Sequence, residues 1–195
     1  LWELVQNDNP LSDAIDDPDA PLDGLLNTLF RPAQPTTLTA EDFVHAADHL
    51  ATVSAVLATQ PAPPPGTNVL IHGPPGGGKS ELARLIAARI GRDAWEIATA
   101  DGDGDAYGQR GLWTSYAVAQ LVLGRTSQSL LIIDEAGALL ECENDGFFFM
   151  RRPPKSGSTK GWLNQMIETA ALPTVWIVNH LDAIDAAHLR RMDYI

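Results

Sequence analysis

The sequence predicts an α/β fold in which strands and helices alternate around a parallel sheet. Two apolar runs, Asn68–His72 and Ser129–Ile133, have the length and composition of buried strands. Residues 81–90 follow the first run and repeat apolar side chains at helical spacing. The first run leads into a glycine-rich loop and the second into two acids, Asp134 and Glu135. Because ligands bind at the carboxyl ends of parallel strands, we expect a ligand site at this edge of the sheet.

The chain before the sheet divides into two segments. Residues 1–35 are acidic and interrupted by prolines, so we predict an irregular arm. In residues 36–66, Thr39 is expected to cap one helix that continues from residue 40 to 59, and a stiff proline-rich connector follows it. Residues 67–195 are predicted to form the nucleotide-binding core.

The glycine-rich loop fits the phosphate-binding pattern G-x-x-x-x-G-K-[ST] at every fixed position. It consists of Gly73, Pro74, Pro75, Gly76, Gly77, Gly78, Lys79 and Ser80. A strand before it and a helix after it place backbone N–H groups and a helix N-terminus against an anion. The lysine supplies charge for the β- and γ-phosphates, and the serine hydroxyl supplies a ligand for Mg²⁺. The loop therefore predicts binding of a nucleotide with Mg²⁺, with a surface turn as the alternative.

The two acids after the second apolar run are the next strong signal. Asp134 suits the role of holding hydrated Mg²⁺, and Glu135 suits the role of polarising an attacking water. In the alternative interpretation, both carboxylates only cap a helix.

The region between these two motifs contains a predicted strand, residues 94–98, and a predicted helix, residues 112–123. The aspartates at 101–105 resemble a calcium loop. That site is excluded, because Ala106 and Leu112 occupy positions that require glycine and glutamate.

The last third of the chain begins with a polar, glycine-rich insertion, residues 141–160. Its aromatic and basic run, residues 147–152, forms either a contact loop or a segment tucked beneath the domain. A helix over residues 161–170 and a buried strand, Thr174–Val178, are predicted next. Asn179 ends that strand.

A short helix over residues 182–193 then carries Arg190 and Arg191. These motifs, in this order and spacing, resemble the AAA+ ATPases over residues 68–195. The resemblance implies a three-layer αβα phosphate-loop sandwich with a central parallel sheet, which binds and hydrolyses ATP with Mg²⁺. It also implies that Asn179 orients the lytic water and that the arginines reach the nucleotide of a neighbouring subunit in a ring, usually a hexamer.

Two departures from the family pattern bear on these roles. The two arginines are adjacent here, whereas the family usually separates them by a short Pro-Gly insert. We favour Arg191 as the residue that reaches the neighbour, since it directly precedes Met192 and Asp193. A solvated surface pair is the alternative. We also expect the sequence to be a fragment that stops before the last core strand and the helical lid of the family.

The composition of the chain limits the kinds of partner that it is expected to bind. The formal charge of −12 and pI near 4.6 argue against a nucleic-acid or anionic-membrane surface. No run approaches the length of about 20 apolar residues that a membrane span needs. The single cysteine, Cys142, excludes an internal disulfide and favours the reducing cytoplasm.

The leading hypothesis is therefore an ATP-driven remodeller of protein substrates. Tyr107 followed by Gly108 resembles the loop with which such rings grip polypeptide, although packing of Tyr107 on the next helix is an equal alternative. Competing hypotheses are a clamp-loader or initiator ATPase acting on DNA, a monomeric phosphate-loop kinase and a nucleotide-binding scaffold without turnover. Glu135 argues against the last two.

Overall fold

The computed structural model describes residues 26–59, 62–100, 106–125, 128–140 and 159–195. Its strands are β1 (Phe30–Pro32), β2 (Asn68–His72), β3 (Asp93–Ile97), β4 (Ser129–Ile133) and β5 (Thr174–Val178). A 3₁₀ helix (Ala40–Ala46) leads into α1 (Ala47–Leu57), and five helices follow. These are α2 (Lys79–Ile90), α3 (Gln109–Leu123), α4 (Gly137–Leu140), α5 (Thr159–Glu168) and α6 (Ala186–Leu189).

The five strands form one sheet in the order β1-β3-β4-β5-β2. Strands β3, β4, β5 and β2 are parallel, and β1 pairs antiparallel with β3 at the edge. The predicted parallel sheet is thus confirmed. The bounds of β2, β4 and β5 coincide with the predicted apolar runs.

Both faces of the sheet are covered by helices, which explains why its inner strands β4 and β5 are buried at every position. Within β4, Leu131 and Ile133 face one core cluster while Leu130 and Ile132 face the other. The first cluster includes side chains of α3, α4 and α5, and the second includes side chains of α1 and α2. Successive strand residues point to opposite faces, so a strand buried on both sides needs apolar residues at every position. This is the predicted three-layer αβα arrangement.

The prediction of an irregular arm over residues 1–35 is wrong for its last part. Phe30–Pro32 forms the edge strand β1, and Leu29 and Phe30 are almost completely buried in the first core cluster. A three-residue strand shows no readable alternation, and Pro32 made the segment resemble a loop. Proline is tolerated here because an edge strand needs a ladder hydrogen bond on one side only.

The single helix predicted over residues 40–59 is also corrected. The chain begins as the 3₁₀ helix, has a non-helical residue at Phe43 (φ −113°, ψ 35°), and becomes α-helical only at Ala47. The other predicted helices and β3 differ from their predicted bounds by up to three residues. The exception is the helix predicted over residues 182–193, which is confined to Ala186–Leu189. Residues 1–25, the aspartates at 101–105 and the run at 147–152 lie outside the described residues. No helix among the described residues is long and apolar enough to cross a membrane.

Candidate nucleotide-binding site

Three adjacent strands deliver the predicted site residues to one edge of the sheet. The glycine-rich loop follows β2, Asn179 follows β5, and Asp134 with Glu135 follows β4. Because β5 lies between β4 and β2, Asn179 stands between the loop and the acids. A cavity of about 500 Å³ opens there. It is lined by Pro75, Gly76, Gly78, Lys79, Ser80, Glu81, Arg84, Asp134, Glu135, Ile177, Val178 and Asn179.

The loop conformation requires glycine at its turning points. Gly76 and Gly78 have φ of 79° and 76°, in the left-handed region that residues with a Cβ avoid. Gly78 is the N-cap of α2, and its carbonyl accepts a hydrogen bond from the Leu82 N–H at 2.8 Å. The first N–H groups of a helix have no partner within that helix, so they are available to an anion at this end.

Lys79 is held above the loop by three acceptors. Its Nζ donates to the carbonyls of Gly73 at 2.8 Å and Pro74 at 2.9 Å, and to Asn179 Oδ1 at 2.9 Å. A protonated lysine has three N–H donors, so these contacts use its full capacity. A phosphate oxygen that binds Lys79 therefore has to replace one of these acceptors. Asn179, which is exposed, is one of the three.

The side-chain oxygens of Ser80 and Asp134, which are both candidate ligands for Mg²⁺, are in hydrogen-bond contact. The Ser80 hydroxyl donates to Asp134 Oδ2, and Asp134 Oδ1 accepts the Glu135 N–H at 2.9 Å. One hydroxyl and one carboxylate fit Mg²⁺, which is usually bound by one or two protein oxygens, phosphates and water. Groups of three or more His, Cys, Asp or Glu that could cage a metal do not occur within the described part of the chain.

Glu135 is the one residue other than glycine with positive φ in the described ranges, at 53°. Its side chain is exposed and lines the cavity. The next residue, Ala136, donates its N–H to the Ile177 carbonyl at 2.8 Å, which ties this turn to β5. A left-handed conformation is unfavourable for glutamate, so the surrounding contacts impose it.

Sequence reasoning missed Arg84, a second basic residue of the cavity. It forms ion pairs of 2.7 Å with Glu81 on its own helix and with Glu96 on β3. Burial lowers the pKa of Arg84, but the hydrogen bonds and charges of Glu96 and Glu81 raise it overall. The three-residue spacing of Glu81 and Arg84 was readable as a helical pair. The contact with Glu96 was not, because it depends on how α2 lies on the sheet.

The two arginines have different environments. Arg191 is half-buried and its guanidinium forms an ion pair with Glu168 at 2.8 Å; it also donates to the Ala187 carbonyl. Arg190 is exposed and has no ion pair with any residue that the structure describes.

Tyr107 is partly buried against the first core cluster, and its hydroxyl donates to the Thr28 carbonyl at 3.1 Å. Its N–H donates to the Thr99 carbonyl at 2.9 Å. This geometry favours the packing alternative for Tyr107 over the polypeptide-gripping one.

The fold and the loop define the class of phosphate-loop nucleotide-binding proteins. Within that class, the model of the ATPase family associated with various cellular activities (AAA) matches residues 69–195. The chain belongs to this family, as its resemblance to AAA+ ATPases implied.

Two solved structures that match this fold are distant from the chain in sequence. One is the complex of HORMA, CdnC and Trip13 from E. coli MS115-1, with 20% identity, a TM-score of 0.56, and coverage of 87% of this chain and 70% of that chain. Another is PCH-2 from C. elegans, with 16% identity, a TM-score of 0.50, and coverage of 77% of this chain and 41% of that chain. No curated protein matches.

Proposed function

We propose that the chain binds ATP with Mg²⁺ and hydrolyses it, and that a ring of such subunits uses this energy to remodel a protein. The observation that carries the proposal is the convergence of Lys79, Ser80, Asp134, Glu135 and Asn179 on one cavity at the ends of three adjacent strands. Each has the chemistry that one part of phosphoanhydride hydrolysis needs.

The present contacts suggest how binding proceeds. The phosphates would accept hydrogen bonds from Lys79 Nζ in place of Asn179 Oδ1 or a loop carbonyl, and the charge of the lysine would offset part of their negative charge. Ser80 and Asp134 would hold Mg²⁺, which would offset the negative charge of the phosphates. Asn179, once released from Lys79, and Glu135 would orient and deprotonate the attacking water.

A neighbouring subunit completes the site in this proposal. The one arginine that lines the cavity in the described structure, Arg84, is already paired with Glu81 and Glu96. Charge that develops on the γ-phosphate is commonly met by an arginine from another subunit. We assign that role to Arg190 rather than to the Arg191 favoured from sequence, because Arg191 is engaged with Glu168.

The substrate class rests on two further points. The net charge of −12 disfavours DNA. One structure that shares the fold is a complex that contains a HORMA protein. We therefore propose a protein substrate, and a cytoplasmic location in keeping with a single cysteine.

The test compares Lys79→Ala and Glu135→Gln with wild type. Wild type should bind MgATP, gaining about 2.7 kcal/mol of stability at a hundredfold excess over Kd, and release phosphate. Lys79→Ala should lose binding, and Glu135→Gln should bind without turnover. Arg89→Ala, an exposed cation on the last turn of α2, is the matched control and should resemble wild type. Binding without phosphate release by wild type would support a scaffold, and equal binding by Lys79→Ala would refute the site.

A further inference from the structure

Phe43 is buried, whereas the residues on either side of it in the 3₁₀ helix are not. It is the only buried residue of the 3₁₀ helix, at 3% exposure, while Val44 next to it is 74% exposed. Phe43 belongs to neither of the two core clusters. Its burial therefore has a different partner from the burial of the α1 side chains that follow it.

The ring lies against the glycine loop and near His45, whose ring centroid is 6.2 Å away. A Cβ atom placed on Gly78 would lie 3.2 Å from Phe43 Cε1 and 3.6 Å from Phe43 Cζ. The aromatic ring thus occupies the space into which a side chain at Gly78 would extend. This glycine is the left-handed N-cap of α2 and immediately precedes Lys79.

Local contacts fix the ring in this position. Thr39 and Asp42 form a capping box, in which the Thr39 N–H donates to Asp42 Oδ2 at 2.8 Å. Phe43 itself departs from helical geometry, so the helical unit bends at the residue that meets the loop. Behind the bend, Leu50 and Leu57 anchor α1 in the second core cluster together with α2. The capping box thus orders the start of the unit, and α1 anchors its other end in the core.

We propose that Phe43 is a positioning residue for the phosphate loop. The ring restricts Gly78 to its left-handed conformation and so keeps the first N–H groups of α2 directed at the phosphate position. Glycine has the most backbone freedom of all residues, and this loop contains several, so a rigid neighbour reduces the freedom lost when an anion binds. The inference rests on the proposed nucleotide binding. It adds a residue outside the loop motif that determines phosphate affinity without touching the phosphate.

Binding experiments on the purified protein test this. Phe43→Ala should raise the Kd for MgATP about tenfold, the order expected if one additional residue must be ordered on binding. Inorganic tripolyphosphate, which has no base or ribose, should lose affinity by a similar factor. Phe43→Leu retains an apolar side chain but not the ring, and should show a smaller, few-fold loss of affinity for both ligands. Val44→Ala, the exposed neighbour, should bind as wild type does.

Leu50→Ala is the control for loss of stability, since Leu50 is equally buried at 3% on the same helical unit but lies in the second core cluster. It should lower the melting temperature without changing either Kd. Amide hydrogen exchange at residues 76–80, measured without nucleotide, should accelerate in Phe43→Ala and not in Leu50→Ala. This readout tests the loop-holding role even if the protein binds no nucleotide.

Three results would overturn the inference. The first is equal affinity in Phe43→Ala and Leu50→Ala, with unchanged exchange in the loop. The second is loss of ATP affinity with tripolyphosphate affinity intact, which would assign the ring to the base instead. The third applies if Phe43→Ala does not fold: it is wild-type tripolyphosphate affinity in both Phe43→Leu and Phe43→Met, for which a few-fold loss is expected. Failure of wild type to bind either ligand would instead refute the proposed function.

Discussion

The cavity at the carboxyl edge of the sheet and the segment at residues 186–195 use their polar groups in opposite ways. Around the cavity, the polar side chains contact one another in partly exposed positions, as Lys79 and Asn179 do. In the second segment, polar groups bind distant parts of the fold. His188 is buried and its Nδ1 contacts the Leu140 carbonyl at 3.0 Å, and Arg191 pairs with Glu168.

The difference separates residues that can exchange partners from residues that cannot. A hydrogen bond at an exposed site can be replaced by one to a ligand at little net cost, whereas a buried one leaves an unsatisfied group when it breaks. The contacts of Lys79 are therefore suited to ligand exchange. The buried contact of His188 instead holds the chain that presents Arg190 to solvent.

Asn68 joins the two regions. It is completely buried at the start of β2, the strand that leads into the glycine loop. Its Nδ2 donates to the carbonyls of Gly66 at 2.6 Å and Ile167 at 3.1 Å, and its Oδ1 accepts from Trp176 Nε1 at 2.9 Å. The backbone of Asn68 bonds Asp193 twice, through its N–H to Oδ2 and through its carbonyl, each at 2.8 Å. The position of the arginine segment is thus tied directly to the strand that carries the phosphate loop.

The largest expected effect concerns the two arginines. Arg190→Ala should lower ATP hydrolysis by about 10³–10⁵, as loss of an arginine supplied in trans does elsewhere. Arg191→Ala should retain substantial hydrolysis, because its ion pair with Glu168 is half-exposed and such pairs contribute about 1 kcal/mol or less to stability. Steady-state phosphate release measures both.

Mixing variants tests whether the arginine acts between subunits. Arg190→Ala retains its own Glu135, and a Glu135→Gln neighbour can supply Arg190, so hydrolysis should reappear when the two inactive proteins are combined. The comparison between regions would break if Arg191→Ala were the inactive variant while Arg190→Ala remained active. If Arg190→Ala, Arg191→Ala and the double variant all remained active, neither arginine would act in the site of a neighbouring subunit.

The sequence was sufficient for features set by neighbouring residues. Continuous apolar runs located β2, β4 and β5, and fixed spacing located Lys79 and Asp134. Features that depend on strand order were not accessible. The contact between Lys79 and Asn179 exists because β5 lies beside β2, and the strand order cannot be read from local periodicity.

The arginine pair shows the same limit. Two adjacent arginines are alike in sequence, and only the packing of α5 places Glu168 within reach of one of them. The short strand β1 was missed for a different reason, since its three residues contribute burial through Phe30 without a readable pattern.

The next effect in size is on stability. Asn68→Ala should lower the free energy of unfolding by about 3 kcal/mol, because it removes three hydrogen bonds, two of them buried, and leaves Trp176 Nε1 without its acceptor. Urea unfolding measures this, with Asn27→Ala, an exposed asparagine, as the matched control. A loss no larger than that of the control would mean that the side-chain hydrogen bonds of Asn68 do not stabilise the fold.

The smallest expected effect tests whether the backbone beside the cavity is strained while that of residues 186–195 is relaxed. Glu135 has φ of 53°, where a residue with a Cβ is disfavoured by about 1–2 kcal/mol. Glu135→Gly should relieve that cost but enlarge the entropy of the unfolded chain, which offsets about 0.4–1 kcal/mol. We therefore expect the free energy of unfolding of Glu135→Gly, measured by urea unfolding, to be about 0.5–1 kcal/mol higher than that of wild type.

Glu135→Gln retains the Cβ, so it does not relieve the strain and serves as the control. Both variants lack the carboxylate and should not hydrolyse ATP. If Glu135→Gly were less stable than Glu135→Gln, the positive φ would carry no strain, and the turn after β4 would be as relaxed as the segment that presents Arg190.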